Sequence, residues 1–161
     1  MKFFIMKKMI EYFQTDVRRI NHTLKVFDFA QIISEDQSLD KKTKEIIFYA
    51  AILHDIGIKE AERKYNSIIG KYQEMEGPSI AHKILSDLKI SKEIINRVCF
   101  IIGNHHSYTK VNGVDFQIIV EADLIVNIFE DDMGREAIRN IYENIFKTEL
   151  GKELIRTMYL N

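Results

Sequence analysis

The sequence predicts an all-α fold, a single helical domain of about seven to eight helices over residues 1–161. Three observations carry that prediction. Apolar residues recur at three- and four-residue intervals through most of the chain, the spacing of helices with one buried side. Capping residues such as Asp16, Asp40 and Ser91 stand just before those stretches. One proline and seven glycines are too little punctuation for a turn-rich β fold.

A chain of 161 residues fits one domain and buries roughly two-thirds of its unfolded surface, so no disulfide staple is needed. Apolar residues make up 46% and charged residues 29%, and the formal net charge is −1. Nothing in that balance points to nucleic acid or an anionic membrane surface. No apolar run reaches the length of a membrane span. The start, Met1 to Lys8, is too short and too soon charged for a signal peptide. Cys99 is the only cysteine and sits in the run Val98-Cys99-Phe100-Ile101-Ile102. It reads as a small buried hydrophobe, with a reactive thiol as the second reading, and it suits a reducing cytoplasm.

Residues 3–14 give a first helix with Ile5, Met9 and Phe13 on one side. Asp16 caps a second, running to about Ser34 and burying Val17, Ile20, Leu24, Phe27 and Ile32; His22 lies near that side, with Arg18 one turn earlier. A polar break at 34–38 precedes a third helix capped by Asp40, which rises through Ile46, Ile47, Tyr49, Ala50 and Leu53 to His54 and Asp55. Gly57 ends or bends it. Residues 58–76 are charged and weakly periodic, and read as a short helix and a loop over the mouth of a site, or as plain solvated surface. Pro78 suits a first helical turn, so a fourth helix is expected from there, carrying His82. A fifth opens at Ser91 and ends in Gly103-Asn104-His105-His106. Asp115 caps a sixth over Phe116–Phe129, which carries Glu121, Asp123 and Asn127. Amphipathic stretches at about 135–146 and 149–159 complete the chain and are expected to pack on a core of about 15–130.

The stretch with chemistry is Ala50-Ala51-Ile52-Leu53-His54-Asp55-Ile56-Gly57. An apolar helical run of this kind is buried, and a charged carboxylate at its end needs compensation. Asp123, inside Ile119 to Val126, poses the same problem. Each unpaired buried carboxylate costs several kcal/mol, against a typical total stability of ~5–15 kcal/mol. With few obvious buried Arg or Lys residues, a cation is the simplest resolution. Imidazole with carboxylate suits Fe, Mn, Zn, Ni or Co. The five histidines, His22, His54, His82, His105 and His106, supply the imidazoles.

The order His22, His54-Asp55, Asp123 on an all-helical chain resembles the HD-domain superfamily of metal-dependent phosphohydrolases, over roughly residues 15–130. His82 and the pair His105-His106 resemble its two-metal members, the HD-GYP phosphodiesterases. The resemblance implies one or two divalent transition-metal ions. The first takes His22, His54, Asp55 and Asp123; the second takes His82, His105 and His106, with Asp55 bridging. It implies a metal-bound hydroxide as nucleophile on a nucleotide or related small phosphorylated substrate. Arg18 is a candidate phosphate clamp and Lys59 a second. The pattern departs from the HD-GYP proteins in two places. Ile58 stands where they carry lysine, with Lys59 one residue later, and Ser107-Tyr108-Thr109 replaces the Gly-Tyr-Pro signature. Both argue against cyclic-di-GMP hydrolysis. Two other readings remain open: a di-iron oxygenase cleaving a C–C or C–P bond, and a non-catalytic ligand-binding module. Nothing in the sequence sets the oligomeric state, and a homo-oligomer is compatible with it.

Overall fold

The computed structural model describes residues 1–161, which form helices and turns with no strand. The helices are α1 (Lys2–Phe13), α2 (Val17–Glu35), α3 (Lys41–Leu53), α4 (Ile58–Tyr65), α5 (Gly70–Asp87), α6 (Lys92–Ile102), α7 (Val114–Glu130), α8 (Arg135–Asn144) and α9 (Glu149–Ile155). None is long and apolar enough to cross a membrane.

Two helices form the centre. In α3, Ile46, Ile47 and every residue from Tyr49 to Leu53 are buried. In α7, burial runs unbroken from Ile118 to Val126. A helix apolar on all sides must be surrounded, and α3 packs against α1, α2, α6 and α7, while α7 also packs against α2 and α9. The small Ala50 and Ala51, both fully buried, let the neighbouring helices approach closely.

The Asp caps form as expected: Asp16 Oδ1 accepts from the Arg19 N–H at 3.2 Å, and Asp40 Oδ1 from the Thr43 N–H at 2.7 Å. Asp115 does not cap α7. Gly113 holds that position, and Asp115 lies in the first turn, gripped by Arg97 at 2.7 Å and 2.6 Å.

Pro78 does not open a helix. α5 starts at Gly70 and runs through Pro78. An internal proline forfeits a backbone bond and strains the preceding turn; here it lies where α5 crosses two other segments. The Pro78 ring packs on Gly103, where an added Cβ would lie 3.1 Å from its Cγ, and the Cys99 thiol donates to the Pro78 carbonyl. Gly57 neither breaks α3 by an unusual backbone angle nor merely ends it. Its φ is −76°, and a Cβ there would lie 2.6 Å from Gly77 N. The glycine is required because α5 crosses the His54–Asp55 turn backbone to backbone.

Glu121 is a buried carboxylate that needs no cation. It accepts from the Lys147 and Thr148 N–H groups at 2.6 Å and 2.9 Å, from Gln117 at 2.7 Å, and from the Thr148 hydroxyl. Those donors fasten the chain leading into α9 onto α7. Tyr159 beyond α9 donates to the Ile125 carbonyl at 2.9 Å and closes the same side.

Candidate metal centre

Four segments deliver the cluster: α2 brings His22, the turn after α3 brings His54 and Asp55, the turn after α6 brings His105 and His106, and the middle of α7 brings Asp123. The orientation of each imidazole follows from its outer nitrogen. His54 Nδ1 faces the Ala51 carbonyl at 2.8 Å and His105 Nδ1 the Ile102 carbonyl at 2.8 Å. His22 Nδ1 faces Glu130 Oε2 at 2.9 Å. Those oxygens only accept, so each Nδ1 carries the hydrogen and each Nε2 turns inward.

The inward atoms crowd together. His22 Nε2 lies 3.2 Å from His54 Nε2 and 3.2 Å from Asp123 Oδ1. His54 Nε2 is 3.6 Å from the same Asp123 oxygen. The two oxygens of Asp55 divide the work. Oδ2 lies 3.5 Å from both His22 and His54, whereas Oδ1 lies 3.4 Å from His105 Nε2. The potential ligand atoms therefore fall into two groups, His22–His54–Asp123 and Asp55–His105–His106, with Asp55 reaching into both.

The electrostatics show how strongly the carboxylates and imidazoles act on one another. Burial would raise Asp123 and Asp55, yet the facing imidazoles hold both well below the usual carboxylate range. Burial opposes a charge on His22, but Asp123, Asp55 and Glu130 outweigh it and push that imidazole up to about 9. Against its burial, Asp55 and Asp123 also raise His54, so these two imidazoles favour the protonated form beside them. His106 goes the other way: burial and the neighbouring His105 push it down to about 4, which leaves it neutral.

The donor set fits a divalent cation. His105 Nε2 is buried and finds no hydrogen-bond partner, although Asp55 Oδ1 is near it. His22 Nε2 and His54 Nε2, 3.2 Å apart, need a proton or a cation between them. Ligand bonds of about 2.0–2.2 Å give polyhedron edges close to the observed separations. A cleft of about 300 Å³ reaches the cluster, and its lining includes Arg18, Arg19, His22, Asp55, Asp123 and Asn127 together with Ile68, Gln73 and His106. The loop read from sequence as covering the mouth does border it, through Ile68.

Two expected residues are not brought together with the rest. His82 is exposed on α5, 3.4 Å from Ser86 Oγ, and belongs to neither group. The helix begins eight residues before Pro78, at Gly70, so the stretch facing the cluster is its first two turns. Lys59 is also directed elsewhere. Its ammonium donates to the Tyr12 carbonyl at 2.9 Å and lies over the Tyr12 ring. Arg18 does line the cleft, at an exposed position.

Sequence reasoning missed Glu130, Arg19 and Gln73. Glu130 was legible in principle, because it stands seven residues after Asp123 and so on the same face of α7. Arg19 sits in the cleft wall but is held by Glu62 at 2.6 Å and 2.8 Å and by Asp16 at 2.8 Å. Gln73 carried no signal, being one polar residue among many in a charged stretch.

A family model described as the HD domain matches residues 19–155. The fold is similar to the 1.45 Å crystal structure of a predicted HD superfamily hydrolase from an uncultured Thermotogales bacterium. The TM-score is 0.67 at 23% identity, covering 97% of this chain and 83% of that one. No curated protein gives a significant match.

Proposed function

The chain belongs to the HD-domain family, and from that premise we propose that it is a metal-dependent phosphohydrolase acting on a nucleotide or a related small phosphorylated molecule. The observation that carries this reading is the meeting of three imidazole Nε2 atoms with the carboxylates of Asp55 and Asp123 beneath an open polar cleft. His22, His54, Asp55 and Asp123 would hold a first ion, and Asp55, His105 and His106 contribute to a second. The N/O donor set suits Fe, Mn, Zn, Ni or Co. A divalent cation bound there polarises a phosphoryl oxygen and lowers the pKa of coordinated water toward neutrality.

The remaining work falls to side chains. Arg18, exposed in the cleft wall, pairs with a non-bridging oxygen of the substrate phosphate. Arg19 keeps its salt bridges to Glu62 and Asp16 and shapes the mouth. The Asn127 amide donates to Asp123 Oδ1 at 2.9 Å and fixes that carboxylate. Glu130 holds the hydrogen on His22 Nδ1, which leaves Nε2 as the ligand.

The test is phosphate release from a panel of phosphorylated metabolites by protein loaded with Mn²⁺ or Fe²⁺. Release from one or a few members, lost in Asp55→Ala, is expected. Loaded protein that liberates no phosphate from any of them would overturn the proposal; oxygen uptake by the reduced iron form would then favour oxygenase chemistry.

A further inference from the structure

We infer that Gln73 completes the second cation site, giving it the ligands Asp55, His105, His106 and the Gln73 side-chain oxygen, in the place that the sequence pattern gave to His82. The inference rests on the reading that the cluster binds cations, and it adds the identity of one ligand and the hardness of one site.

Gln73 is buried at 6% exposure. Its amide nitrogen donates to the Ile68 carbonyl at 2.6 Å. A carbonyl only accepts, so that bond fixes which end of the amide is which. The oxygen is thereby turned to the cluster, 3.4 Å from His106 Nε2. That separation equals the one between His105 Nε2 and Asp55 Oδ1. It also fits the edge of a polyhedron with bonds of about 2.0–2.2 Å. The buried His105 Nε2, which has no hydrogen-bond partner, lies in this same group, so one of its donor atoms is free to face a cation.

The first two turns of α5 are shaped to hold this arrangement. Gly70 lies under the His106 ring, where a Cβ would come within 2.6 Å of Cδ2. Glu74 accepts from the His106 N–H at 3.0 Å and the Ser107 hydroxyl at 3.1 Å. Gln73 stands between these two anchors, so one stretch of helix sets both His106 and the amide. His82 follows nine residues later, which at about 100° per residue is half a turn out of phase. Gln73 and His82 thus occupy opposite faces of α5, and only Gln73 faces the cluster.

An amide oxygen is a hard ligand. A site of two imidazoles, one carboxylate and one amide oxygen favours Mn²⁺ or Fe²⁺ over a site richer in nitrogen or sulfur. Mn²⁺ is therefore the probe.

The experiment is equilibrium dialysis of full-length, chelator-stripped protein against Mn²⁺, with the bound ion followed by electron paramagnetic resonance and folding checked by thermal melts. Wild type and His82→Ala should each take two equivalents. Gln73→Leu should weaken the second by about tenfold or more and leave the first unchanged. Gln73→Glu, which keeps the shape and adds a charge, should bind the second ion more tightly than wild type, and it decides the matter if Gln73→Leu fails to fold. Wild type taking a single equivalent, Gln73→Leu keeping both at unchanged affinity, or Gln73→Glu leaving the second affinity unmoved would each overturn the inference while the metal-dependent reading stands. Wild type taking none would remove both.

Discussion

Asp123 and Glu130 stand two turns apart on α7 and address opposite nitrogens of one imidazole. Asp123 Oδ1 lies 3.2 Å from His22 Nε2, and Glu130 Oε2 lies 2.9 Å from His22 Nδ1. The ring is thus held between two carboxylates of a single helix. Lys25, one turn after His22, pairs with the other Glu130 oxygen and keeps it ionised.

This relationship predicts the behaviour of Glu130→Gln. An amide can turn its NH₂ group toward Nδ1, which shifts the hydrogen to Nε2 and spoils that atom as a ligand. Affinity for the first ion should fall by about 10–100-fold, measured by competition with a chelating dye. Asp123→Ala should cost more, because it removes the whole carboxylate that would face the ion. Equal affinity in Glu130→Gln and wild type would mean that His22 is oriented by something else.

Gly57→Ala should destabilise the whole domain. Its new Cβ would lie 2.6 Å from Gly77 N and 2.9 Å from Gly77 Cα, and backbone cannot give way as a side-chain tip does. A loss of about 1–3 kcal/mol is expected, read from urea melts, with some loss of metal affinity because the same contact seats Asp55. Wild-type stability would show that α5 can withdraw without cost.

Arg18 and Lys59 separate by position. Arg18→Met should raise KM for a phosphorylated substrate about tenfold, the worth of one charge-assisted hydrogen bond, with metal content unchanged. Lys59→Met should leave both kinetics and metal content near wild type, because its ammonium is bound to Tyr12 on the outside. Steady-state kinetics on the same preparation of substrate distinguishes them, and a larger defect in Lys59→Met would contradict the geometry.

The Arg97–Asp115 pair ties α6 to the start of α7, and its contribution depends on pH. Burial raises the Asp115 carboxyl, but Arg97 and the Phe116 N–H outweigh it and hold it below its ordinary 3.8. A depressed folded-state pKa means stabilisation that is complete above the unfolded value and is lost as pH falls through the folded one. The stability gap between wild type and Asp115→Asn should therefore be constant above about pH 5 and shrink below 3.8. Urea melts from pH 7 to pH 2.5 would show it. A gap that persists unchanged at the acid end would mean that the pair contributes through packing and not through charge.

Much of this was legible in the chain. Apolar spacing and the caps at Asp16 and Asp40 located α1 to α3, although Val17 and Ile32, read as buried in α2, are exposed, and the burial problem at Asp55 and Asp123 pointed to the cluster. What the sequence hid is tertiary. Pro78 looked like a helix start because local chemistry favours that; the contacts with Gly57 and Gly103 that let α5 run through it join segments far apart in sequence. The same shift in where α5 begins exchanged His82 for Gln73 at the cluster. Lys59 follows the His-Asp motif closely, but the first turn of α4 carries it outward to Tyr12. Glu121 and Asp123 look alike in sequence, two acids in one apolar run. Only the arrival of Lys147 and Thr148 at one, and of His22 and His54 at the other, makes the first a fastener and the second a candidate ligand.

The most direct test of the central claim is elemental analysis of wild type and Asp55→Ala, purified side by side without chelator. Wild type should carry divalent transition metal, and Asp55→Ala should lose it from both groups, since Asp55 offers Oδ2 to one and Oδ1 to the other. Full wild-type occupancy in Asp55→Ala, or a wild-type protein that holds no metal and takes none up, would contradict the account.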